Sequence, residues 1–191
     1  MASNEVTQLV QGMIRKENQM IMEAHSSVTL ILCGDRRIIV DTSTRERRNA
    51  LLSGLEGTGI APEEVDTVVL THLHGDHTSN NDLFPNAEVL AHVDEIPPRG
   101  IEPVIEEGEI CDGVGLIHTP GHTRGSMSVL VEAERTYVMT GDALPTRENY
   151  DRWIPPGLNF YPELALRSMR RIVDLADVIV PGHDVAFSVD R

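Results

Sequence analysis

Lysine is almost missing from this sequence: Lys16 stands alone among 16 Lys and Arg residues, set against 30 acidic residues and a formal charge of -14. A surface of that sign repels polyanions, which argues against nucleic acid as a partner and favours a small-molecule substrate. The one dense basic patch, Arg45, Arg47 and Arg48, reads equally well as a solvated helix face. Cysteine is scarce too. Cys33 and Cys111 are too few and too far apart to suggest a disulfide framework or a thiolate zinc site, so both are expected as buried small hydrophobes or incidental thiols. No apolar run approaches the ~20 residues of a membrane span. The first residues also lack a basic stretch followed by an apolar one. The expectation is a cytoplasmic protein with no membrane partner.

What is present suits a folded domain. The chain has 191 residues, 40% of them hydrophobic, enough to bury a substantial core as a single domain over residues 1–191. Apolar or β-branched runs at 6–10, 28–33 and 37–41 read as strands, with Gly34-Asp35 signalling a hairpin between the last two. Asp41-Thr42-Ser43-Thr44 looks like a capping cluster for a helix that ends on glycines near residue 59. Further strands are expected at 67–71, 87–92, 115–119, 127–132, 136–142 and 177–181, with a helix over about 162–176. Residues 94–109 read as a surface loop or edge excursion. Strands, then a helix, then a strand in each half predict an α/β (α+β) class αββα sandwich, two mostly antiparallel sheets with helices on the outer faces.

The stretch THLHGDH, residues 71–77, follows the apolar run Val68, Val69, Leu70. His72 and His74 lie two apart, so on extended backbone they point the same way and can grip one ion. Gly75, free to adopt positive φ, is expected to turn the chain so that Asp76 and His77 face a different point. Imidazole and carboxylate are the ligands divalent metals take, and four so close together is a specific signal. Downstream, His122, Asp142 and His183 each follow an apolar strand and a glycine, a recurrence that places ligands along one edge of a sandwich.

His72-x-His74-x-Asp76-His77 followed by His122, Asp142 and His183 resembles the metallo-β-lactamase fold superfamily over nearly the whole chain. The stretches TPGHTRGSMSVLV, GDALPTRENYDRW and RRIVDLADVIVPGHDVAF are most similar to the group formed by metallo-β-lactamase domain-containing protein 1 and its microbial relatives. The resemblance implies that His72, His74 and His122 bind one metal, that Asp76, His77 and His183 bind a second, and that Asp142 bridges them. It also matches Asp41 to the aspartate that supports the histidine loop, as metal-bound imidazoles commonly require. Two divalent ions are implied, zinc best suited, with iron or manganese compatible.

The chemistry expected is hydrolysis of an ester, thioester, lactone or phosphodiester by a hydroxide shared between the metals, with Asp76 as the catalytic proton carrier. A mononuclear iron persulfide dioxygenase and a compact metal-dependent nuclease are the alternatives. Tyr150, Trp153 and Arg124 lie near the ligands in sequence and are candidates for the substrate pocket, or else packing and solvated residues. His25, His92 and His118 read as hydrogen-bonded or surface histidines. A homodimer is the expected assembly, since it would cover the edges of a minimal sandwich.

Overall fold

The structure is a computed structural model that describes residues 4–18 and 20–190. In chain order the strands of the first half are β1 (Glu5–Val10), β2 (Met13–Glu17), β3 (Met20–His25), β4 (Val28–Cys33) and β5 (Arg36–Val40). Helix α1 (Arg48–Thr58) leads to β6 (Thr67–Val69), the short helix α2 (Gly75–Thr78), β7 (Glu88–His92) and β8 (Glu102–Val104). The second half holds β9 (Gly108–Cys111), β10 (Val114–His118), β11 (Met127–Glu132), β12 (Thr136–Gly141), α3 (Arg147–Arg152), α4 (Pro162–Leu175), β13 (Val178–Pro181) and β14 (Phe187–Ser188).

These strands form two six-stranded sheets, ordered β1-β4-β5-β6-β7-β8 and β14-β13-β12-β11-β10-β9, and a separate β2-β3 hairpin. Alternation along each strand builds three apolar layers. Ile38, Val40 and Val69 of the first sheet face Val129, Val131 and Met139 of the second, filling the space between the sheets. Their neighbours Ile39 and Val68 turn outward onto Leu51 and Leu55 of α1. On the other outer face, Val138 and Ile179 meet Met169 and Ile172, on the apolar stripe of α4. The order helix, sheet, sheet, helix is the αββα sandwich expected. Strands buried on both faces are mostly apolar, which is why Val68-Val69-Leu70 at β6 and the residues of β13 read as continuous runs.

Pairing differs between the sheets. From β5 through β8 the first sheet is parallel, while the second is antiparallel except at β12-β13. Strands β10, β12 and β13 run the same way, so their C-terminal ends lie on one edge. Residues 94–109 do make an edge excursion, contributing β8 to one sheet and β9 to the other.

Two expectations are corrected. Cys33 and Cys111 are joined in a disulfide, with Cα atoms 6.6 Å apart across a separation of 78 residues. Each ends its strand, and the packing of the sheets brings those ends together. The cluster at 41–44 does not cap the following helix, whose first turns have no side-chain cap. Instead Thr42 and Ser43 bond to the loops around the histidines. Among the described residues, no helix is long and apolar enough to cross a membrane.

Candidate metal centre

The site is built outward from the end of β5. Asp41 adopts a left-handed conformation, φ 58°, at which a side chain other than glycine is strained. That geometry aims its buried carboxylate back at the histidine loop. Oδ1 accepts the Thr71 amide at 2.8 Å, and Oδ2 accepts both the Thr71 hydroxyl at 2.8 Å and His77 Nδ1–H at 2.7 Å. The Thr42 amide donates to the His77 carbonyl at 2.7 Å, and Ser43 Oγ donates to the Ser26 carbonyl at 3.0 Å. The strain at Asp41 is thus held by bonds on every side.

The turn in the histidine loop is not made where expected. Gly75 has no left-handed φ, and a Cβ there would meet nothing within 4 Å. The chain turns because extended His74, φ -68° and ψ 146°, passes directly into α2, which carries Asp76 and His77 inward.

Hydrogen bonds from one ring nitrogen leave the other free on most of the histidines. His77, His122 and His183 donate Nδ1–H to Asp41 Oδ2, the Leu158 carbonyl and the His25 carbonyl at 2.7, 2.7 and 3.0 Å. Because the Thr71 hydroxyl donates to Asp41, His72 Nδ1–H in turn donates to Thr71 Oγ1 at 3.2 Å. The Nε2 atoms of His72, His77, His122 and His183 are thereby directed at a common space, where His122 Nε2 also lies 3.0 Å from His74 Nδ1, the convergence a metal requires.

Two triads result. His72, His74 and His122 place donor atoms within 4.8 Å of one another, as do Asp76, His77 and His183. Asp142 lies between them, with Oδ1 3.1 Å from His183 Nε2 and 3.4 Å from His77 Nε2, and Oδ2 3.5 Å from His122 Nε2. His72 Nε2, His77 Nε2 and Asp142 Oδ1 are buried with no hydrogen-bond partner among the described residues. Leaving such atoms unpaired is costly, and a divalent cation is the partner that suits neutral imidazole and carboxylate together.

The electrostatics point the same way. Burial, reinforced by the neighbouring His77, pushes His72 well below the ordinary imidazole value, and burial with His122 lowers His74. Burial opposes charge on His77 as well, but the Asp41 and Asp142 carboxylates outweigh it and raise its pKa strongly. Burial would raise Asp142; His183 and His77 overcome that and hold the carboxyl well below its usual range. A cation held here would have to displace protons from His77 and His183, so its affinity would fall as pH falls.

Glycines let the ligand loops approach. A Cβ on Gly141, φ 47°, would lie 2.2 Å from Thr71 Oγ1, and one on Gly182 would lie 2.4 Å from Asp142 Oδ1. Glu95, which no sequence motif singled out, ties two ligand loops together. Its Oε2 accepts the amide of Leu73, between His72 and His74, and its Oε1 accepts the amide of Gly125, just past His122, both at 3.0 Å. The only trace of this in the sequence is Gly125, where a Cβ would sit 2.7 Å from the Glu95 backbone nitrogen.

The candidate pocket residues are placed elsewhere than the ligands. Tyr150 packs on Phe187, and its hydroxyl accepts the Asp190 amide at 3.2 Å. Trp153 joins the core beneath α4, with the Arg170 guanidinium 4.4 Å over its ring, and Arg124 lies over Phe160. The cavity beside the ligands, about 400 Å3, is walled by Ile14, Lys16, Ile21, Pro145, Pro156 and Leu158. His92 and His118 stack with centroids 4.0 Å apart, and His118 Nε2 bonds the Arg124 carbonyl at 2.9 Å. With Asp94 this pair also brings donor atoms within 4.8 Å of one another, though His92 Nδ1 already accepts the Asp94 amide at 3.2 Å.

The pattern of the family described as the Metallo-beta-lactamase superfamily matches residues 22–93 and 93–183, which together carry every candidate ligand named above. The chain belongs to the metallo-β-lactamase superfamily. Within it, a protein of Methanocaldococcus jannaschii named probable metallo-hydrolase MJ0296 is 39% identical over 178 residues, covering 92% of this chain and 85% of that one. Metallo-beta-lactamase domain-containing protein 1 of Xenopus laevis is 35% identical, covering 95% and 80%. A solved N-acyl homoserine lactone hydrolase with product bound at its catalytic metal centre shares the fold, with a TM-score of 0.76 at 22% identity, covering 96% and 94%. The chain is thus a metallo-hydrolase of this superfamily, with histidine and aspartate clusters suited to metal.

Proposed function

We propose that the protein is a dinuclear metal-dependent hydrolase that cleaves an ester, thioester, lactone or phosphodiester bond of a small molecule. The observation that carries this reading is the position of Asp142 between two complete triads, with one oxygen near His77 and His183 and the other near His122. His72, His74 and His122 would hold one ion and Asp76, His77 and His183 the other, with Asp142 shared. Zinc suits this donor set best. When bound, such a pair supplies Lewis acidity toward the scissile carbonyl or phosphoryl oxygen and a nucleophilic water at neutral pH.

The chain's own residues do the rest. Asp41 fixes the His77 ring from behind by accepting Nδ1–H, so that Nε2 is the nitrogen directed at the centre. Asp76 Oδ2 lies 3.5 Å from His183 Nε2, and the carboxylate is half-buried beside the centre. It is assigned to orient the attacking water and to carry its proton to the leaving group. A lactone substrate is supported by the fold shared with the lactone hydrolase and by the apolar walls of the adjoining cavity.

Metal analysis of the purified protein, followed by lactone, thioester, ester and bis(p-nitrophenyl) phosphate assays with Asp142→Ala as control, tests the proposal. Two ions per chain and hydrolysis lost in the variant are expected. One iron per chain with oxygen uptake would overturn it in favour of an oxygenase.

A further inference from the structure

The cavity beside the ligands has one unusual member. Lys16, the only lysine of the chain, borders it together with His122, Asp142 and His183. It also borders an adjoining space of about 470 Å3 that shares His183, Thr146 and Asn149. The β2-β3 hairpin puts it there: Lys16 pairs with Ile21 across the two strands. Arg15 turns instead to Glu17 and Glu23. Lys16 Nζ lies within 3.9 Å of where a Cβ on Gly157 would sit, so the ammonium reaches the 156–158 segment that also walls the cavity.

In a chain carrying a formal charge of -14, carboxylates are available to pair with cations, and Arg45, Arg48, Arg152 and Arg171 each hold one. Lys16 has no ion pair among the described residues. The acids that border the second space are already engaged. Glu148 pairs with Arg152, and Asp184 accepts the amides of Arg147 and Val185. An exposed, unpaired ammonium at the border of a largely apolar cavity beside the candidate metal centre is placed to receive an anion that arrives with the substrate. Ile14, Ile21, Pro156 and Leu158 make most of the remaining wall apolar, with Thr146 and Asn149 as its polar members, for whatever joins that anion to the scissile bond.

We infer that Lys16 anchors a carboxylate on the substrate, so that the bond cleaved belongs to an ester, thioester or lactone bearing a carboxylate beyond a short apolar segment. One ammonium balances one negative charge, so a carboxylate monoanion is neutralised in full where a phosphate dianion would keep an unbalanced charge in a strongly acidic chain. This inference rests on the hydrolase reading above and sharpens its substrate class.

Two matched pairs of compounds test it. Glutarate and valerate, equal in length and different by one carboxylate, are compared by calorimetry as ligands of the zinc-loaded protein. The mono-p-nitrophenyl ester of glutaric acid and p-nitrophenyl valerate are compared as substrates. The unaltered chain is expected to bind glutarate about tenfold more tightly than valerate and to show the same preference in KM. Lys16→Met should abolish both preferences, and Lys16→Arg should restore most of them. A preference that is absent from the unaltered chain, or that survives Lys16→Met, overturns the inference. Hydrolysis without charge preference removes only this inference, whereas a Lys16-dependent preference for glutarate without hydrolysis of any ester removes only the hydrolase reading.

Discussion

Asp41 Oδ2 accepts the His77 imidazole N–H at 2.7 Å from a backbone held at φ 58°. One strained residue thereby orients a ligand of the second triad, and through Thr71 it also steadies His72 of the first. Asp41→Asn keeps a residue that tolerates the left-handed conformation and keeps one acceptor oxygen, but it turns an N–H toward either Thr71 or His77. Metal affinity is expected to fall about 10- to 100-fold with the fold preserved. Competition with a chromophoric chelator measures it, and an unchanged affinity would remove Asp41 from the site.

Two glycines beside the candidate ligands, Gly141 and Gly75, make opposite predictions. Gly141→Ala forces a Cβ to within 2.2 Å of Thr71 Oγ1 from a φ of 47°, so both the backbone and the Thr71-Asp41 bond must give. A loss of about 2–4 kcal/mol is expected, from strain and overpacking together. Gly75→Ala meets nothing and starts a helix, so stability should hold or rise slightly. Urea titration of both variants decides; equal losses would mean that the turn depends on Gly75 after all.

Glu95 joins the loop of His72 and His74 to the loop of His122 through two amide bonds. Glu95→Ala removes both bonds, while Glu95→Gln retains one acceptor. Affinity of the first metal should drop about tenfold in the alanine variant and less in the glutamine variant, with far-ultraviolet dichroism unchanged. Cobalt substitution supplies a spectrum that reads this triad directly.

The disulfide between Cys33 and Cys111 closes a separation of 78 residues. In the chain-entropy view such a cross-link stabilises by up to about 4 kcal/mol, by restricting the unfolded chain. Cys111→Ser, or reduction with dithiothreitol, should lower Tm without altering metal content. Titration of free thiols under native and denaturing conditions shows whether the bond is present.

Much of the fold was legible because strand patterning is local. Val68, Val69 and Leu70 announce a buried strand wherever the chain later puts it, and the α4 stripe of Ala165, Met169 and Ile172 announces a helix face. The hairpin at 13–25 was not legible, since Met20, Ile21 and Met22 are exposed apolar residues whose pattern marks no buried face. Residues 41–44 resembled a helix cap by composition, yet their side chains were claimed by loops far along the chain. Tyr150 and Trp153 were near a ligand in sequence and went into the core, because α3 turns them toward α4 and Phe187.

The sequence by itself determined the chemistry on offer: imidazoles and carboxylates at the ends of apolar strands, in the order that marks the superfamily. Ligand type and strand period are properties of single residues and their near neighbours, and they survive without knowledge of packing. Which residues meet was decided by the tertiary structure alone. Asp142 stands between two triads, Glu95 ties two loops, Cys33 reaches Cys111 and Lys16 faces the cavity because the two sheets bring together segments dozens of residues apart.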